Sequence, residues 1–109
     1  MPEYNKLVRD LVPQIIEKSG KNYETKILDD EDYITALGAK LGEEVEEYFA
    51  AENDQDRLEE LADVLEVIHT LAYKDGTTME EVEKIRQQKA EKRGGFKDKI
   101  FLVEVEDES

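Results

Sequence analysis

Residues 40–65 read KLGEEVEEYFAAENDQDRLEELADVL, and the acids include two pairs of equal spacing, Glu44 with Glu47 and Glu60 with Asp63. A separation of three residues puts both carboxylates of a pair on one face of an α-helix, about one turn apart. Helix periodicity then sorts the acids. With Leu37 at zero, Leu41, Val45 and Tyr48 fall at roughly 40°, 80° and 20° and define an apolar stripe. Glu44 falls at roughly -20°, inside that stripe, and Glu47 at roughly -80°, on its margin. Glu43 lies near roughly -120° and Glu46 at about 180°, both off the stripe. On the next helix, Leu58, Leu61, Leu65, Ile68 and Ala72 form one stripe, and Val64, Val67 and Leu71 a second. Measured from Leu58, Glu60 lies at roughly -160°, within the second stripe, and Asp63 at about 140°, at its edge. Glu59 and Glu66 fall on the polar side.

An unpaired carboxylate in an apolar arc is costly, and several together push one another's pKa upward. A hard divalent cation removes both penalties, and oxygen-only ligands suit Mg²⁺, Mn²⁺ or Ca²⁺. Two antiparallel helices would bring the pairs face to face as a cage of Glu44, Glu47, Glu60 and Asp63. A lone ExxE in so acidic a chain reads as a wet surface. What sets these acids apart is that both pairs share apolar arcs of neighbouring helices. The chain has no Cys and one His, which excludes disulfides, thiolate ligands and a His-rich metal site. His69 falls beside Leu65 and reads as a packed or half-exposed side chain.

The elements that must position these acids are legible from caps and periodicity. Asp10 is a candidate N-cap for a short helix with Pro13 in its first turn, running to about Ser19 and stopped by Gly20. Tyr23, Thr25 and Ile27 alternate with polar residues, which predicts a short strand over 23–28; a second is predicted over 99–105, within KIFLVEVE, as its partner. Asp29 or Asp30 caps a long helix that reaches about Glu52. The NDQD stretch at 53–56 reads as a turn, followed by a helix over 57–74. Thr78 and Glu81 form a capping box for a third long helix, ended at Arg93 by Gly94-Gly95. Phe96 is expected to anchor the tail over the bundle. The predicted fold is all-α, a helical bundle of three main helices plus a short N-terminal one, in a single domain over 1–109.

Charge narrows the partners. The 109 residues carry 29 acidic and 15 basic side chains, a formal net charge of -14. That field repels polyanions, so no nucleic-acid polymer is expected as a partner. A small anion can still be received through metal ions or local cations. On the third long helix a stripe begun by Met79 and Val82 continues with Arg86, Lys89 and Arg93. Lys89 and Arg93 on this stripe are candidate phosphate-binding residues, with complementation of the helix dipole as their ordinary reading. Lys6, Arg9 and Lys40 are further candidates, whose ordinary reading is surface pairing with abundant acids. Tyr48 and Phe49 suit either core packing or stacking on a base. No apolar run is long enough to span a membrane and no N-terminal h-region is seen, so a cytoplasmic protein without membrane association is expected.

The acidic signature, EEVEE at 43–47 and ELAD at 60–63, resembles the E-E-x-x-E … E-x-x-D pattern of the all-α, MazG-like nucleoside triphosphate pyrophosphohydrolases. YNKLVRDLVPQII near the start and KAEKRGGFKDKIFL near the end look like the small single-domain branch, similar to phosphoribosyl-ATP pyrophosphohydrolase-like proteins. The resemblance covers nearly the whole chain, with Leu11 at a position where the family often has Lys. It implies Mg²⁺- or Mn²⁺-dependent cleavage of a nucleotide between the α- and β-phosphates, giving a monophosphate and pyrophosphate. It implies Glu44, Glu47, Glu60 and Asp63 as metal ligands, Glu44 among the catalytic residues, and Glu43 in assistance of the attacking water or the metals' outer shell. Through KAEKRGG it also implies Lys92, beside Lys89 and Arg93, as a phosphate-binding residue, with the same ordinary reading at the helix end. An alternative is a metal-binding interaction module without catalysis, and a third reading is a purely structural acidic bundle. The chain is short for a complete four-helix core, so a homo-oligomer, dimer or tetramer, is expected, with apolar surface of the second long helix buried between subunits. No residue set distinguishes the base.

Overall fold

The computed structural model describes residues 4–107. The fold is all-helical: α1 spans Val12–Lys18, α2 Asp30–Ala50, α3 Asp54–Lys74 and α4 Met79–Arg93. Each long helix starts at a side-chain cap. The backbone N–H of Asp32 donates to Asp29 Oδ1 at 2.8 Å. That of Asp56 donates to Asn53 Oδ1 at 2.8 Å, and that of Glu81 to Thr78 Oγ1 at 3.2 Å. These bonds satisfy amides that the first turn leaves without partners. Acids fill the first turns of all three, where the positive end of the dipole favours them. Gly94, at φ 80, ends α4 in a conformation that side chains resist, and its N–H donates to the Ala90 carbonyl at 2.8 Å.

Four expectations need correction. Asn53 is a cap rather than a turn residue, so α3 begins at Asp54, not near 57, and α2 ends at Ala50. Leu11, not Asp10, precedes α1, and it offers no side-chain cap. Residues 23–28 and 99–105 form no strand, and the described residues contain none. Alternation supplies a sheet face but not the paired edge that a strand requires, and neither stretch meets the other here. Phe96 anchors nothing: it is 99% exposed.

The core is a hairpin. A short turn after Ala50 lays α3 against α2, and this is the main packing of the chain. Leu37 of α2 and Val67 and Ala72 of α3 are its buried apolar residues, with Leu41, Tyr48, Val64, Ile68 and Leu71 half-buried around them. So α3 turns its Val64–Val67–Leu71 stripe to α2 and leaves Leu58, Leu61 and Leu65 exposed. Helix α4 folds back on α3 over a smaller surface, and α1 touches none of the other helices. Leu65 and His69 line an open groove with Met79, Glu83 and Gln87; it contains none of the candidate ligands. The radius of gyration is 18.8 Å, against about 13 Å for a compact chain of this length.

Leu37 is 2% exposed, the most buried of the core side chains. Leu37→Ala is expected to destabilise the protein by about 3 kcal/mol, read from the midpoint of urea unfolding. A loss below about 1 kcal/mol would show that the hairpin does not depend on this contact.

Candidate metal centre

Glu44 is the pivot of the acidic cluster. Its residue is 5% exposed, at the packing surface between α2 and α3. Lys40, one turn earlier, forms an ion pair with it, its Nζ 3.1 Å from Oε1. Oε2 is buried and has no hydrogen-bond partner among the described residues, and Glu60 Oε2 is in the same condition. A buried anionic oxygen without a donor is the kind of unmet requirement that a cation fills.

Two sets of carboxylates surround it. Glu43, Glu44 and Glu47 each bring one oxygen into a group whose members lie within 4.8 Å of one another, and so do Glu44, Glu60 and Asp63. Ligands of one ion can be no farther apart than twice the metal–oxygen distance, about 4.2 Å for Mg²⁺ and about 5 Å for Ca²⁺. The 4.8 Å bound lies inside the Ca²⁺ limit and somewhat outside the Mg²⁺ one, so the smaller ion would have to draw the oxygens inward. Glu44 belongs to both sets, so the arrangement offers two adjoining positions sharing one carboxylate. All four acids named from the helical wheel are brought together: Glu44 buried, Glu60 and Asp63 half-buried, and Glu47 exposed at the margin.

The wheel did not find Glu43, which it turned away from the stripe. Its side chain is long enough to reach back around the helix, and cations hold it there. Lys6 Nζ lies 3.2 Å from its Oε1 and Lys40 Nζ 3.5 Å from its Oε2. Lys40, at i−3 to Glu43 and i−4 to Glu44, was the available signal. Arg9 donates to Asp63 Oδ1 at 2.6 Å. The candidate cations divide accordingly. Lys6, Arg9 and Lys40 meet the acids, whereas among the described residues Lys89, Lys92 and Arg93 make no ion pair with them and stand exposed on α4. Arg86 is held by Glu83 of its own helix at 2.6 Å. Tyr48 is half-buried and meets the exposed Phe49 edge-on, with ring centroids 5.4 Å apart.

The electrostatics follow this geometry. Burial pushes the Glu60 carboxyl up to about 7, aided by the closeness of the Glu44 and Glu47 carboxyls and by the charges of Glu47 and Asp63. The Lys6 ammonium, with help from Lys40, holds Glu43 below the usual carboxylate range despite some desolvation. Burial works to lower the Lys40 pKa, but Glu44 and Glu43 outweigh it and leave Lys40 above its ordinary value. Glu43 and Lys40 therefore stay ionised near neutrality, whereas within this cluster the Glu60 carboxyl is pushed into that range.

The sign of that titration gives a test. A carboxyl whose pKa is raised on folding binds its proton more tightly in the folded state. Without metal, stability should fall as pH rises from about 4.5 to about 7, and level off above. Glu60→Gln should flatten this slope and raise the melting temperature in EDTA at pH 8. Melting curves of both proteins across pH 4.5–8 check it. An unchanged slope in the variant would exclude Glu60 as its source.

A protein of Mycolicibacterium smegmatis (strain ATCC 700084 / mc(2)155), named only as uncharacterized, is 45% identical to this chain over 53 residues. The match covers 49% of this chain and 54% of that protein, so the chain spans about half the length of the curated relative it matches. No family model matches the chain, and no solved structure matches it.

Proposed function

We propose that this protein is a Mg²⁺- or Mn²⁺-dependent nucleoside triphosphate pyrophosphohydrolase of MazG-like type. The observation that carries the reading is the buried, donor-less oxygen of Glu44 at the corner shared by two carboxylate sets. Glu44, Glu47, Glu60 and Asp63 would hold the metal. Bound there, the ion would neutralise charge on the phosphates and lower the pKa of a bound water. The substrate is a small nucleotide, and the reaction adds water across the anhydride linkage between its α- and β-phosphates. The products are a nucleoside monophosphate and pyrophosphate, suited to clearing surplus or non-standard nucleotides.

The chain's own residues then have distinct roles. Glu44 and Glu60 supply oxygens from a desolvated position, where each is worth more to a cation than at the surface. Glu43, kept ionised by Lys6 and Lys40, is a weak base by its low pKa. It suits orienting a water by accepting a hydrogen bond better than taking its proton. Lys40, at 18% side-chain exposure, fixes the carboxylates of Glu43 and Glu44 relative to one another. Lys89, Lys92 and Arg93 would reach the phosphates only by a movement of α4 or from a neighbouring copy. No helix among the described residues is long and apolar enough to cross a membrane, and a cytoplasmic location suits a nucleotide substrate.

The direct test measures pyrophosphate release from a panel of NTPs and dNTPs with Mg²⁺. Turnover of at least one nucleotide is expected. Glu44→Gln should lower it by at least the roughly hundredfold that loss of supporting ligands reaches, with the fold intact. Metal-dependent stabilisation without turnover of any nucleotide would favour a metal-binding module instead.

We also propose a homo-oligomer, dimer or tetramer, because Leu58, Leu61 and Leu65 of α3 stand exposed beside a small core. Light scattering at micromolar concentration should give at least twice the 12.6 kDa chain mass. A monomer would overturn it.

A further inference from the structure

The segment before α1 reaches the acidic centre with two cations. Asn5 takes a left-handed conformation, φ 44, which asparagine tolerates better than most residues, and the chain turns there toward α2. Lys6 and Leu7 then line a groove with Ala36, Ala39, Lys40 and Glu43. Lys6 ends on Glu43 and Arg9 on Asp63, so one short segment touches a member of each carboxylate set. Little else holds it. Leu7 is half-buried, while Val8, Leu11 and Ile15 are exposed, and α1 makes no contact with another helix.

We infer that residues 5–9 are an exchangeable counter-ion arm, in which Lys6 and Arg9 neutralise the centre without metal and divalent cation releases them. The inference rests on the reading of this centre as a metal site. Arg9 bonds Asp63 Oδ1 at 2.6 Å, and Asp63 brings a carboxylate oxygen to the Glu44–Glu60–Asp63 set. A divalent ion on that carboxylate would stand within a few ångströms of the guanidinium, and the two positive charges repel. Both ion pairs are partly exposed, with side-chain exposures of 58% and 42% for Arg9 and Lys6, so each contributes weakly and yields easily. Lys40 differs, because it is fixed on α2 and bonds Glu44 from within the packed face. Release leaves an ammonium and a guanidinium beside a metal position, where they can meet an anion bound to the ion.

The experiment uses the full chain with Mg²⁺ alone as the probe. Calorimetry establishes binding, and ¹⁵N relaxation follows the backbone of residues 5–9 before and after saturation. The arm should lose the order it shares with the hairpin, while α2 and α3 keep theirs. Arg9→Ala removes the competitor and should tighten Mg²⁺ binding severalfold. Binding with an unaltered arm, or weaker binding by the variant, overturns the arm and leaves the metal centre standing. No Mg²⁺ binding by the parent protein overturns both.

Discussion

The structure depends on one costly placement, a glutamate carboxylate buried where α2 meets α3. Glu44 occupies a position that an apolar residue would fill more cheaply, and one of its oxygens finds no donor among the described residues. The neighbourhood is organised around that fact. Lys40 supplies one counter-charge from the preceding turn, Glu60 has a pKa raised to about 7, and Lys6 and Arg9 reach in from the chain's start. The hairpin therefore holds a cluster of carboxylates at a cost in stability, a trade that the proposed metal reading explains as a set of oxygen ligands ready before the ion arrives.

Much of this was legible in the sequence. The helical wheel put Glu44 in the apolar stripe of α2 because Leu37, Leu41 and Tyr48 mark that arc without ambiguity. The caps at Asp29 and Thr78 could be read because a short polar side chain precedes a periodic run. Asn53 was harder, since NDQD is equally good chemistry for a turn and for a cap with acids in the first helical turn. The wheel of α3 carried two apolar stripes, and only packing shows that Val64, Val67 and Leu71 face α2 while Leu58, Leu61 and Leu65 do not. The two expected strands failed for a related reason. Alternation at Tyr23–Thr25–Ile27 is local, but pairing is a property of a distant edge. Glu43 escaped because a wheel records where a Cα points, not how far a long side chain reaches toward Lys6 and Lys40.

The elongated shape follows from the same distribution of residues. The described residues extend over 63 × 36 × 28 Å and bury three apolar side chains and one carboxylate. Phe49, Phe96 and the run from Ile100 to Val103 remain in solvent. Two 21-residue helices packed along one face cannot enclose their own outer surfaces, and α4 is too polar to complete the job.

The tight connection between α2 and α3 has a consequence for how the protein comes to exist. All five carboxylates of the centre lie between residues 43 and 63, on either side of one turn capped by Asn53. Closing so short a loop takes little chain entropy, and such local contacts form early in folding. The ligand cluster can therefore assemble with the helical hairpin itself, before α1, α4 or the tail has found a place. In a growing chain these carboxylates would stand together before the residues beyond α3 are made, and on the proposed reading a metal ion would meet them there.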